Sequence, residues 1–107
     1  QVEMHHYEPL FKDMRQDKQL LNLFKDVMTE FGESPRILPD DEADGSTDVG
    51  NVSYEVPTAQ PTLQIGLGLE AHTPEFTCAA GSDYGLDQAI KGAKIMAVVA
   101  LRYAMCK

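Results

Sequence analysis

Tryptophan is absent from the 107 residues, cysteine occurs only twice, and basic residues are scarce: 9 Lys and Arg stand against 17 Asp and Glu. Each shortage excludes something. Cys78 and Cys106 lie far apart and outside any CxxC spacing, which rules out a disulfide scaffold and a zinc ribbon and fits reduced thiols in a cytoplasmic protein. A net charge of -8 with no basic cluster offers nothing to neutralise phosphates, so a nucleic-acid surface is excluded. The longest apolar run, 95–101, falls far short of a membrane span. Gln1 is followed by no basic-then-apolar pattern, so no signal peptide is expected, and the missing initiator methionine points to a processed or excised segment. No serine sits in a G-x-S-x-G elbow, and no internal repeat is present.

What remains is a globular composition, 43% hydrophobic and 24% charged, in a chain long enough for one domain. Folding at this length removes roughly two-thirds of the unfolded surface from water, so a core can form without covalent staples.

Hydrophobic periodicity divides the chain. Val2, Met4 and His6 alternate with Glu3, His5 and Tyr7, which predicts a short strand ended by Pro9. Leu20, Leu21, Phe24, Val27, Met28 and Phe31 then recur at helical spacing, predicting a helix over 17–31 with Asp17 as N-cap, Gly32 just past its end and Pro35 beyond. Residues 33–50 read as a long acidic loop. A brief strand is predicted at 51–56, a buried strand at 62–69 with Gly66 and Gly68 allowing close backbone approach, and a turn at 71–76. The last element is a helix over 83–105. Its apolar face carries Leu86, Ala89, Ile90, Ala93, Met96, Ala97, Ala100, Leu101 and Ala104, with Lys91, Lys94 and Arg102 on the outer side.

Two places could carry chemistry. The loop Gly45-Ser46-Thr47-Asp48-Val49-Gly50-Asn51 has glycines that free the backbone, and hydroxyls and amides that could bind a carboxylate or amide. Its composition reads equally as a solvated turn. His72 follows an apolar segment and precedes Thr-Pro-Glu, the end-of-strand position where α/β enzymes place reactive groups. A structural histidine satisfies the same pattern. Glu75 either orients a metal-bound imidazole or is solvated. His5 and His6, adjacent on a strand, would point to opposite faces and could not chelate one ion.

A calcium loop is the rival. Asp40, Glu42, Asp44, Gly45, Ser46, Asp48 and Asn51 fall at EF-hand positions, but the bidentate glutamate required at the last position is Asn51, and no helical pattern follows.

Taken together, Gly45-Ser46-Thr47-Asp48-Val49-Gly50-Asn51-Val52-Ser53, then Val56-Pro57-Thr58, then Ala71-His72-Thr73-Pro74-Glu75-Phe76 and an alanine-rich final helix resemble the C-terminal part of the dizinc aminoacylase and carboxypeptidase family. Within it they are most similar to the amidohydrolase branch that contains aminobenzoyl-glutamate hydrolase and β-alanyl-lysine dipeptidase. The resemblance covers nearly the whole chain.

It implies an α/β fold, with helices packed on the central mixed sheet of a zinc-peptidase-like catalytic domain. Residues 1–8 would end a lid and dimerisation domain, and 9–107 would form the C-terminal portion of the catalytic domain. His72 matches the last zinc ligand; Gly45, Ser46 and Thr47 match a substrate-binding loop, with Asp48 orienting it and Glu75 standing behind the metal. The implied parent binds two zinc ions, hydrolyses a dipeptide or N-acyl amino acid and forms a homodimer. The upstream H-x-D and Glu-Glu ligand motifs and the catalytic glutamate have no counterpart here, so the segment alone is expected to be inactive and to need the rest of its catalytic domain. The alternatives are a non-catalytic interaction domain and a weak calcium module through 40–51.

Overall fold

The computed structural model describes residues 1–39, 42 and 45–105. Their regular structure is helical: α1 (Lys18–Glu30), α2 (Val49–Val52), α3 (Pro74–Ala80) and α4 (Asp83–Met105).

The ends of α1 follow from local chemistry. Asp17 Oδ1 accepts the Leu20 N–H at 2.7 Å, satisfying one of the free donors of the first turn. At the other end Gly32 takes φ 83°, a left-handed conformation that costs glycine nothing. That turn lets the Glu33 N–H reach the Met28 carbonyl and the Gly32 N–H reach the Thr29 carbonyl, both at 3.0 Å, a Schellman closure. Ser82 starts α4 by accepting the Gly85 N–H at 3.1 Å on its hydroxyl. Gly85 is buried where α3 meets α4, and any Cβ there would fall on the Ala79 carbonyl oxygen.

The core is where α1 crosses α4. Val27, Met28, Ile95 and Val99 are buried, with Leu20, Leu23, Phe24, Phe31, Leu63 and Val98 packed around them. Charged pairs flank this apolar contact. Arg102 donates to both carboxylate oxygens of Glu30 at 2.7 and 2.8 Å, and Lys91 Nζ meets Glu33 Oε1 at 2.6 Å. Gln88, 3% exposed, donates from Nε2 to the Gln64 carbonyl at 2.9 Å and so ties the chain at 59–66 to α4.

Several expectations are corrected. The α/β architecture is overturned: among the described residues there is no strand and no sheet, central, mixed or otherwise. The predicted strands at 2–7 and 62–69 are irregular, and 51–56 begins inside α2. Strands need a neighbouring ladder to satisfy their backbone groups, and these described residues supply none. Gly68 instead makes a turn with φ 65°, and Gly66 faces the Leu69 side chain. The helices at 17–31 and 83–105 do form, within a residue of their expected bounds at all four ends. In α4, however, the buried face is Gly85, Gln88, Ile95 and Val99, whereas Leu86, Ile90, Met96 and Leu101 are more than half exposed. Lys91 and Arg102, expected on the outer side, turn toward α1 because acidic partners wait there.

The result is an open structure. Its accessible surface is 8641 Å², where a compact monomer of 11.8 kDa would expose about 5,900 Å². The radius of gyration is 16.4 Å, against about 13 Å for a compact domain of this length.

Acid should weaken the α1–α4 contact. Hydrogen bonds from Arg102 to Glu30 and from Lys91 to Glu33 hold both carboxyls below their ordinary 4.5. Their stabilisation is therefore fully present above that value and is lost as pH falls through the lower folded-state values. We predict helix loss by circular dichroism beginning below pH 4.5. Glu33→Gln should cost about 1 kcal/mol or less near neutrality and should flatten the acid slope; an unchanged slope would contradict the assignment.

Candidate functional site

His72 stands immediately before α3. Thr73, the next residue, caps that helix: its Oγ1 accepts the Phe76 N–H at 3.2 Å and donates to the Glu70 carbonyl at 2.7 Å. Pro74 opens the first turn, where its missing N–H costs nothing, and Glu75 adds a negative charge beside the free N–H groups. The segment expected to be a turn at 71–76 is thus a helix start. Thr-Pro-Glu carried that signal in full: a capping hydroxyl, a proline at the first position and an acid in the first turn.

The cap has a consequence for the imidazole. His72 has φ 65°, the left-handed region, and among the described residues it is the single non-glycine with positive φ. A side chain there costs about 1 kcal/mol or more relative to the usual regions. The side chain is exposed. Its backbone is held between the Glu70–Thr73 hydrogen bond and the proline-initiated helix, so the ring is presented outward from a fixed base.

The loop expected to hold substrate splits into two parts. Gly45, Ser46 and Asp48 are exposed, and Thr47 Oγ1 accepts the Val49 N–H at 3.3 Å, closing the start of α2. Asp48 occupies the cap position of α2 but makes no side-chain capping bond. Ser46 also lines an open cavity of about 360 Å³ together with residues 5–11.

The second part, 50–54, is a clamp on a distant segment that sequence reasoning missed. Asn51 Oδ1 accepts the Lys12 N–H at 2.7 Å, while its Nδ2 donates to the Leu10 carbonyl at 3.2 Å. Ser53 Oγ accepts the Arg15 N–H at 2.9 Å and donates to the Gly50 carbonyl at 2.6 Å. The Tyr54 hydroxyl donates to Asp13 Oδ1 at 2.6 Å, which holds the Asp13 carboxyl below its usual value and pushes the Tyr54 hydroxyl up. The Tyr54 ring also receives Lys12 Nζ at 4.5 Å and the Arg15 guanidinium at 3.8 Å from its centre. Gly50 is obligatory here, because a Cβ would fall on the Lys12 carbonyl oxygen. The side chains of Asn51 and Ser53 could have been suspected as backbone ligands, since both residue types readily bond main-chain groups. Nothing local in the sequence named residues 10–15 as their partners.

These bonds bear on the calcium reading. Asn51, its last ligand, spends its side-chain amide on residues 10 and 12; Asp40 and Asp44 lie outside the described residues. Among the described residues no hydrogen bond or ion pair joins His72 to Gly45, Ser46, Thr47, Asp48 or Glu75, and no group of three or more His, Cys, Asp or Glu is placed to hold a metal ion. Cys78 is a free, exposed thiol on α3, and Cys106 lies outside the described residues. His5 sits 3.6 Å from Glu3, on the exposed N-terminal segment. No helix among the described residues is long and apolar enough to cross a membrane.

The clamp is testable. Gly50→Ala should destabilise the structure by about 1–3 kcal/mol, the range for forcing extra atoms into a filled site. Hydrogen exchange at the Lys12 and Arg15 amides should accelerate with it. Unchanged protection at both amides would show that the clamp does not form.

No protein-family model matches the chain, and no solved structure matches it. Over 57 residues, 53% of this chain, it is 44% identical to the "Xaa-Arg dipeptidase" of Homo sapiens, and the same figures hold for the "Xaa-Arg dipeptidase" of Mus musculus. The matched stretch spans only 13% of either relative's length. At that coarse level, part of the chain is related to a dipeptidase.

Proposed function

We propose that this chain is the C-terminal portion of a zinc-dependent amidohydrolase or dipeptidase of the cytoplasm that hydrolyses the amide bond of a dipeptide or N-acyl amino acid. The observation that carries this reading is the 44% identity over 57 residues to Xaa-Arg dipeptidases. Residues 1–8 would leave a lid domain, and 9–107 would belong to the catalytic domain. The chain spans 13% of its relatives' length in the matched stretch, so the activity belongs to a longer polypeptide whose remaining catalytic domain would complete the site and whose lid would form a homodimer.

Within that reading His72 supplies one metal ligand. Its support is chemical and conformational: an imidazole is a common zinc ligand, and this one is exposed on a backbone held in a costly conformation. The described residues do not by themselves fit a zinc ion. A catalytic zinc takes about three protein ligands, and among the described residues no group of three or more His, Cys, Asp or Glu is placed to hold one. No step of the hydrolysis is therefore assigned to a residue of this chain. Gly45, Ser46 and Thr47 would contact the substrate near its carboxylate, with Asp48 and Glu75 supporting the two regions. When bound in the complete protein, the two zinc ions would activate water and polarise the amide carbonyl. A dipeptide ending in arginine is the first substrate to try, from the relatives' name, and a net charge of -8 suits a cationic substrate.

Two substitutions in the longer polypeptide separate ligation from backbone strain. His72→Ala should remove about one of the two zinc ions and lower hydrolysis of an Xaa-Arg dipeptide by at least about 100-fold. His72→Gly should lose metal equally while relieving the left-handed strain, so its folded state should be no less stable than the parent's. Full zinc content and an unaffected rate in both variants would sink the assignment.

A further inference from the structure

The open cavity at Ser46 has two walls, and the clamp holds them together. One is Ser46 itself, from the loop proposed to meet the substrate beside its carboxylate; the other is the segment 5–11. Asn51, in the clamp that follows this loop, holds the Leu10 carbonyl and the Lys12 N–H, so the two walls cannot part without breaking those bonds. At about 360 Å³ the space lies within the range of small-molecule pockets.

The lining suits a cation. Glu8 is in the wall, and among the described residues it takes part in no hydrogen bond or ion pair; the Ser46 hydroxyl is equally free. Tyr7 and Phe11 line the same space, and aromatic rings beside a carboxylate attract a guanidinium or ammonium group. Lys12 and Arg15, the next cations along the chain, are turned onto the Tyr54 ring and leave Glu8 without a counter-charge. His5, also in the wall, has Glu3 as its acidic neighbour at 3.6 Å. In a dipeptide, the last side chain leaves the same carbon as the carboxylate. A loop that meets that carboxylate and also borders this cavity therefore directs the last side chain into it.

We propose that Glu8 is a specificity-determining residue: its carboxylate receives the cationic side chain of the substrate's C-terminal residue, in the cavity shared by 5–11 and Ser46. The orientation of the substrate rests on the proposed function, and the test keeps the two apart. Free L-arginine carries the same carboxylate and side chain as the end of an Xaa-Arg dipeptide and cannot be hydrolysed. L-citrulline has nearly its shape without the charge. Calorimetric titration of each into the longer polypeptide with its zinc bound reads the contact without turnover. Glu8→Gln should lower the preference for arginine over citrulline by about tenfold or more, the size of a lost charge-assisted bond. Glu8→Lys should abolish that preference through like-charge repulsion. Glu8 is exposed, so both variants should keep the parent's helix content. In hydrolysis of an Xaa-Arg dipeptide, Glu8→Gln should raise KM more than it lowers kcat, because the contact is the same in substrate and transition state. An undiminished preference for arginine in both variants would overturn the role of Glu8, even in a polypeptide that hydrolyses dipeptides. A polypeptide that binds arginine through Glu8 and hydrolyses no dipeptide would support that role and sink the proposed function alone.

Discussion

Val27 and Met28 on α1 meet Ile95 and Val99 on α4, and this crossing is the constraint on which the other described contacts rest. The four are the buried hydrophobics of the described structure, so the apolar driving force is concentrated in one place. Glu30–Arg102 and Glu33–Lys91 bracket it and set which sides of the helices face each other. From α4, Gln88 reaches the Gln64 carbonyl and holds the irregular segment against the helix pair. From α1, the Asp17 N–H bonds the Thr58 carbonyl at 2.8 Å and fixes the second segment. Both long connections are therefore attached by polar bonds to a small apolar centre. Stability of such an arrangement is a small difference between large terms, and single contacts count heavily in it.

The clamp and the histidine show two ways of holding a loop without a sheet. Asn51 and Ser53 pair with main-chain groups of 10–15, taking the role that a strand neighbour would otherwise fill. At 72, a threonine cap, a proline and a short helix hold an imidazole in a conformation it would not choose. The strained residue is also the one to which the proposed function gives the role of metal ligand. Its exposure and isolation fit a ligand that contributes to a site assembled from several parts of a longer chain.

Legibility in the sequence followed the range of the interactions. Asp17, the apolar stripe 20–31 and Gly32 act within a few residues of one another, and α1 was readable to its caps. Thr73-Pro74-Glu75 is just as local, and it starts a helix where a turn was expected. The sheet was what the resemblance implied, and strands at 2–7, 51–56 and 62–69 came from alternation or short apolar runs, yet such a pattern specifies a strand only when a partner exists to pair with it. The face of α4 was misassigned for a related reason. Its outer stripe is more apolar than its inner one, and only the acids at Glu30 and Glu33 reveal which side turns inward. The pairing of 10–15 with 50–54 joins positions about 40 residues apart, beyond the reach of any local pattern.

We propose that this chain contributes one metal ligand, His72, and no complete metal centre. Titration of zinc into the 107-residue chain, followed by calorimetry and by the His72 ring resonances, tests it most directly. The account predicts no stoichiometric site of the strength of a structural zinc, which releases about 10 kcal/mol or more. One equivalent of zinc bound that tightly at His72 would contradict it.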